Sequence, residues 1–224
     1  MKINNRLKTI GDLVKANSFC LDVGCDHGLL DIYLVKRKEG IKAIASDIAE
    51  GPLNHAKENI KREHLEKEIE TRLGPGLSTY KEGVDTVIIS GMGGRNIIGI
   101  CKENLSIMKK INTFVISPNN YQVDVKKFFC KNGFYIENEV FVKDSRFIYQ
   151  IIIFQKGRKH YSRKEYFFGP VFLEKKGPLF KEYYERELKS REILISLLPK
   201  NYRFKKWMTR REIQMIQEEL KTSN

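Results

Sequence analysis

Apolar positions in the first two thirds of the chain alternate between two periods. Short β-branched or apolar runs at residues 19–23, 42–47, 69–73, 84–90 and 112–117 have the composition of buried strands. Helix-like segments at 29–38, 51–64, 95–102 and 121–131 separate them. Strands joined by helical crossovers pair in parallel, so this order predicts a wound α/β sheet with helices on both faces. The last two runs, 134–143 and 147–154, are separated only by a short turn around Asp144 and Ser145. So short a connection forces antiparallel pairing, and the sheet is expected to end in a hairpin.

The pattern changes after Gln155. KGRKHYSRKEY reads as a charged, poorly periodic link, and Gly169 with Pro170 punctuates the entry to helical sequence. Phe180, Tyr184, Leu188, Leu194 and Leu198 recur at roughly helical spacing, as do Phe204, Met208, Met215 and Leu220 beyond the break at Pro199. An antiparallel helical hairpin is predicted, burying its own apolar stripe and with it Trp207 and the tyrosines. The division is placed between a first domain, residues 1–155, and a second, residues 156–224.

Net charge is +13, but abundant Lys, Asn and Ile also follow from an A/T-rich genome, so distribution tells more than total. Residues 156–224 carry 18 Lys/Arg against 9 Asp/Glu, whereas residues 1–155 carry 23 against 19. A basic tail suits a polyanionic partner, with nucleic acid foremost. The absence of a long apolar run leads us to expect a cytoplasmic protein without membrane contact. Cys20, Cys25, Cys101 and Cys130 form no CxxC or Cys/His cluster, so neither a metal site nor a disulfide framework is expected.

Candidate chemistry gathers at the predicted strand ends. In FCLDVGCDHGLLDIYL a strand runs into Asp22, Gly24 and Gly28 and then directly into a helix. Gly24 permits a tight left-handed turn, and the helix start offers free N–H groups. The spacing is GxxxG, not GxGxxG, with Asp26 where a dinucleotide pyrophosphate requires glycine. A carboxylate there repels pyrophosphate but favours the ammonium and sulfonium charges of S-adenosylmethionine. The next strand ends at Asp47, about twenty residues on, as suits an acceptor for both ribose hydroxyls; capping the following helix is the alternative role. RLGPGL supplies a turn to lie along an adenine ring. SGMGGRN and SPNNY close the fourth and fifth strands at the same edge, where the glycines leave room for a flat substrate.

In this order and spacing, DVGCDHG, SDI, RLGPGL, SGMGGRNI and SPNN resemble the tRNA (adenine-22-N1)-methyltransferase family, TrmK. The resemblance spans nearly the whole chain, including GPVFLEKKGPLFKEYY, which is similar to the segment leading into that family's C-terminal helical coiled coil. It implies an α/β fold: a Rossmann-like class I methyltransferase sheet with an antiparallel hairpin edge, plus a C-terminal α-helical hairpin. The implied reaction moves a methyl group from S-adenosyl-L-methionine to N1 of adenine 22 in the D-arm region of tRNA, leaving S-adenosyl-L-homocysteine. Asp22, Gly24, Cys25, Asp26, His27 and Gly28 then match the donor loop, Asp47 and Ile48 the ribose side, and Gly74, Pro75 and Gly76 the adenine-side turn. Ser90 and Gly91 border the donor, while Met92, Gly93 and Asn119 match the catalytic side. Three positions depart from the family pattern: Pro75 replaces an aspartate, Gln150 a glutamate after Tyr149, and Ser117 a glutamine.

Adenine N1 carries a free lone pair at neutral pH, so positioning should dominate catalysis. Asp26 is expected to stabilise the charge left on the methylated base, and Met92 or Tyr121 to hold its flat face. His27 is assigned either a similar role or a packing role at the helix start. Arg95, Arg158, Lys159, Arg163, Lys164, Lys205, Lys206, Arg210 and Arg211 are the expected tRNA contacts. The helical hairpin equally permits self-association. Two other classes stay in view: a methyltransferase for another RNA base, and a non-catalytic RNA-binding protein with a relic donor pocket. A nicotinamide oxidoreductase is disfavoured by the missing GxGxxG and the antiparallel edge.

Overall fold

A computed structural model describes residues 3–222. Chain order is α1 (Asn5–Leu13), β1 (Phe19–Val23), α2 (Leu29–Arg37), β2 (Lys42–Asp47), α3 (Glu50–Arg62), β3 (Ile69–Leu73), β4 (Thr86–Ser90), α4 (Gly94–Glu103), α5 (Leu105–Met108), β5 (Thr113–Ser117), α6 (Gln122–Lys131), β6 (Phe134–Asp144) and β7 (Phe147–Lys156). Four helices follow: α7 (Arg163–Phe168), α8 (Pro170–Lys175), α9 (Pro178–Leu197) and α10 (Arg203–Lys221). Short 3₁₀ turns occupy Asp26–Gly28 and Gly76–Thr79.

The seven strands lie in the order β3-β2-β1-β4-β5-β7-β6. The first five are parallel, and β7 enters antiparallel between β5 and β6. The strand order reverses between β1 and β4, which opens a crevice at their carboxyl ends. Alternation along each strand divides the core between the two faces. Leu21, Val23, Val87, Ile89, Phe114 and Ile116 meet α4 and α6 on one face; Cys20, Ala43, Ala45, Ile88 and Val115 meet α1, α2 and α3 on the other. Phe129 of α6 stacks on Phe154 of β7 at 4.4 Å and meets Phe114 edge-on at 5.0 Å, so the antiparallel edge is packed as firmly as the centre.

The structure differs from the sequence expectations before the first strand and after the last. Helix α1 carried no assignment, yet Asn4 caps it, its side chain accepting from Leu7 N at 2.9 Å, and Ile10 is fully buried. The segment expected as a link contains α7, which starts at a capping box. Ser162 Oγ accepts from Glu165 N, and Glu165 Oε2 accepts from Ser162 N at 2.7 Å. Just before it, Tyr161 Oη accepts from Ile136 N at 2.9 Å, beside the β6 irregularity at Ile136/Asn138. Glu139 of β6 ion-pairs with Lys126 of α6 at 2.8 Å, both side chains fully buried, and its second oxygen accepts from Val171 N at 3.1 Å. These contacts draw residues 156–171 onto the sheet, and the compact units run Met1–Val171 and Phe172–Asn224.

In the second unit, α9 and α10 form an antiparallel pair. Phe180, Tyr184 and Ile216 are buried. Arg191 bridges Glu187 and Glu212, and Lys176 pairs with Glu219 at 2.6 Å. The expected self-burial of the whole stripe does not occur: Leu194, Phe204 and Trp207 are exposed. The burial stops short of the connecting turn, on either side of which Leu197 and Phe204 are each 75 % exposed. Among the described residues, no helix is long and apolar enough to cross a membrane, and no cluster of His, Cys, Asp or Glu has the make-up of a metal site.

Candidate active site

The loop after β1 shapes the floor of the crevice. Gly24 adopts φ +78°, a left-handed conformation that favours glycine, and Met92 Cε fills the space beside it, 2.5 Å from where a Cβ would stand. Gly24 N and Cys25 N both donate to Ser46 O at 2.9 Å, tying the loop to β2. Asp26, His27 and Gly28 then take consecutive positive φ values of 35°, 70° and 67° before α2 begins. Asn59 of α3 holds the strained run by donating to His27 O at 2.9 Å. Asp26 is exposed and paired with His27 Nε2 at 3.3 Å; the His27 ring lies 5.0 Å from His55.

The adenosine side forms at the ends of β2 and β3. Asp47 Oδ1 accepts from Ala49 N at 2.9 Å, while the other oxygen has no hydrogen bond among the described residues. Helix α3 starts only at Glu50, so Asp47 braces the turn without capping the helix. Ile48 and Leu73 stand beside it with 74 % and 52 % exposure. Two exposed aliphatic side chains at a polar strand edge suit the faces of an adenine ring. Leu73 belongs to the RLGPGL turn expected along the adenine ring. Gly74 N donates to Asp47 O at 2.9 Å, and Pro75 is exposed at the tip of the turn.

The β4 and β5 loops are laced together. Asn119 N donates to Met92 O at 2.9 Å, Asn119 Nδ2 to Gly91 O at 2.6 Å, and Gly94 N to Asn120 Oδ1 at 3.0 Å. Ser90 and Ser117 are cross-strand partners beneath these loops. With its amide nitrogen donating to Gly91, exposed Asn119 keeps Oδ1 available as an acceptor. Tyr121, in the left-handed region at φ +55°, carries the Arg95 guanidinium 4.3 Å from its ring centre. Sequence patterns missed Arg6 of α1. Its guanidinium packs against Gly91 and lies 4.7 Å from the Tyr149 ring, with a buried Nε that has no hydrogen bond among the described residues.

Beneath the donor loop lie two buried carboxyls, Asp22 and Asp31. Burial, then Asp31 and Asp47, push the Asp22 carboxyl well above the usual range. Asp31, on the first turn of α2, is fully buried with both oxygens unpartnered among the described residues, and burial raises it to about 7. A cationic ligand is what such a floor favours. The residues thus fit S-adenosylmethionine: backbone access at Gly24, a free ribose acceptor at Asp47, apolar faces at Ile48 and Leu73, and buried carboxyls below the ammonium and sulfonium end.

The remaining expected RNA contacts are shared between the two units. Arg158, Lys159, Arg163 and Lys164 belong to the first unit, with Lys159 stacked 4.5 Å over Tyr135; Lys205, Lys206, Arg210 and Arg211 belong to the second.

Parallel strands closed by an antiparallel hairpin, with an acid-lined crevice at the switch point, define a Rossmann-like methyltransferase domain, and a family model described as a methyltransferase domain matches residues 3–152. The tRNA (adenine(22)-N(1))-methyltransferase of Bacillus subtilis is 25 % identical over 195 residues, covering 84 % of this chain and 82 % of that one. A Streptococcus pneumoniae protein solved with S-adenosyl-L-methionine superposes with a TM-score of 0.90 at 29 % identity, over 98 % of this chain and 100 % of its own. TrmK of M. capricolum, solved with S-adenosyl-homocysteine, gives 0.87 at 26 % identity, with both chains fully covered. The chain belongs to the tRNA (adenine-22-N1)-methyltransferase family, TrmK.

Proposed function

We propose that this protein transfers the methyl group of S-adenosyl-L-methionine to N1 of adenine 22 in the D-arm region of tRNA, in the cytoplasm. The observation that carries this reading is the laced pair of β4 and β5 loops beside Gly24. It sets an acceptor, Asn119 Oδ1, and a glycine-lined gap against the donor floor. Bound S-adenosylmethionine supplies an electrophilic methyl group on a sulfonium. Adenine N1 needs no base to attack it, so the protein's work is orientation. Asn119 Oδ1 accepts from the N6 amine and thereby points N1 inward. Tyr121, backed by Arg95, stacks on the extruded base, and Arg6 holds the adjoining phosphate. Asp26 offsets the positive charge that transfer leaves on adenine. The first unit carries the donor and the target base, and the basic second unit grips the tRNA backbone.

Incubation with labelled S-adenosylmethionine and unmodified tRNA, followed by mapping of the modified base, tests this directly. Label at N1 of adenine 22 is expected; label at another base, or none, overturns it. Asp26→Ala should lower turnover much more than donor affinity, and equal losses would remove its catalytic assignment.

A further inference from the structure

The turn end of the helical hairpin exposes side chains that a hairpin normally hides. Leu197, Tyr202, Phe204 and Trp207 all face solvent, Phe204 at 75 % exposure and Trp207 at 47 %. Phe204, Trp207 and Arg211 stand at i, i+3 and i+7 on α10 and so share one helical face. The Phe204 and Trp207 rings lie 5.9 Å apart and are inclined by only 29°, while the Arg211 guanidinium sits 4.9 Å from the Trp207 centre. Between Glu192 and Glu212 the chain has six Lys/Arg and no Asp/Glu. Glu212, the nearest carboxylate along α10, is already held by Arg191 Nε at 2.8 Å.

We infer that this tip is a stacking platform for unpaired RNA bases. A near-parallel aromatic pair offers flat faces to a base, and the cations around it meet the phosphates on either side. Paired RNA hides the faces of its bases, so the platform selects loops over helices. The charge argues against a second copy of the chain as the occupant. A second copy of the chain docked by two-fold symmetry would bring two such tips together, each with the same unbroken run of positive charge. The inference rests on the proposed function in one respect: the RNA engaged is the tRNA substrate, whose loops supply splayed bases. It adds a second contact, carried by the helical unit and independent of the base that is methylated.

Trp207 is the only tryptophan in the chain, so its emission reports on the tip alone. The full-length protein is titrated with unmodified tRNA, an unpaired oligoribonucleotide, a blunt RNA duplex of equal length, and vesicles of phosphatidylcholine and phosphatidylserine. Saturable quenching by tRNA and by the unpaired strand, with little from the duplex, is expected. Trp207→Leu should weaken tRNA binding by about tenfold, as loss of one stacked base does, and Trp207→Phe should restore most of it. Because both side chains are exposed, neither variant removes buried packing. Equal quenching by duplex and single strand would reduce the tip to a phosphate contact and overturn the inference. So would an emission shift that follows protein concentration without RNA, or one that follows vesicles alone. Methylation of tRNA with no change in Trp207 emission would defeat the platform and leave the proposed function standing. Quenching by unpaired RNA without methylation would do the reverse.

Discussion

Single residues divide the site between holding the donor and orienting the acceptor. Asp47 has one oxygen committed to Ala49 N and one open, so Asp47→Ala should weaken S-adenosylmethionine binding by about tenfold or more without unfolding the chain, as calorimetry would show. Arg6 lies against Gly91 on the acceptor side. Arg6→Met should therefore leave donor affinity intact and lower turnover on tRNA by about tenfold, read from kcat and donor Kd measured separately. Asp31 yields a prediction of defined sign. Its carboxyl, raised to about 7 by burial, keeps in the folded chain a proton that the unfolded chain releases near 3.8. Stability therefore falls as pH rises through that window, and Asp22, raised by the same burial, adds in the same direction. Asp31→Asn should raise the melting temperature at pH 8 by on the order of 5 °C and give little gain at pH 4. A gain of equal size at both pH values would mean that ionisation is not its source.

At the scale of elements, Glu139 joins three of them: β6, α6 through Lys126, and the start of α8 through Val171 N. Glu139→Gln leaves the Lys126 ammonium buried beside a neutral group and should cost about 3 kcal/mol, measured as a lowered denaturation midpoint in urea. The elements themselves were largely legible in the sequence. Strands β1, β2 and β3 have the bounds that the sequence predicts: β1 and β2 are largely buried apolar runs, and β3, at the sheet edge, is a short run with β-branched Ile69 and Thr71. The capping box at Ser162 and Glu165 was an available signal, obscured by the density of charge around it. Other features left no such trace. An aspartate in the first turn of a helix ordinarily faces water, so the burial of Asp31 depends on how α2 docks on β1 and not on α2 itself. Periodicity in α9 and α10 marks an apolar stripe but not its covered length, which is why Trp207 and Phe204 were expected inside. Arg6 belongs to no motif, and only the placement of α1 brings it to Gly91.

At the scale of the whole molecule, the proposed function puts donor and acceptor chemistry in the first unit and gives the helical unit a separate RNA grip. A chain cut after Lys175, at the end of α8, should keep its affinity for S-adenosylmethionine and lose most of its affinity for tRNA, as filter binding and calorimetry would report. Unchanged tRNA affinity would show that the basic residues of the first unit suffice. A cut made before Phe147 should behave quite differently, because it removes β7. The strand made last, β7, is an interior one, paired with β5 on one side and β6 on the other. During synthesis the apolar edge of β5 therefore waits, unpaired, for residues that leave the ribosome about forty positions later, and β6 emerges before the neighbour it needs. The nascent sheet carries an open, sticky margin until that insertion is made, which marks this interval as the stage at which the polypeptide is most exposed to aggregation and most in need of a chaperone.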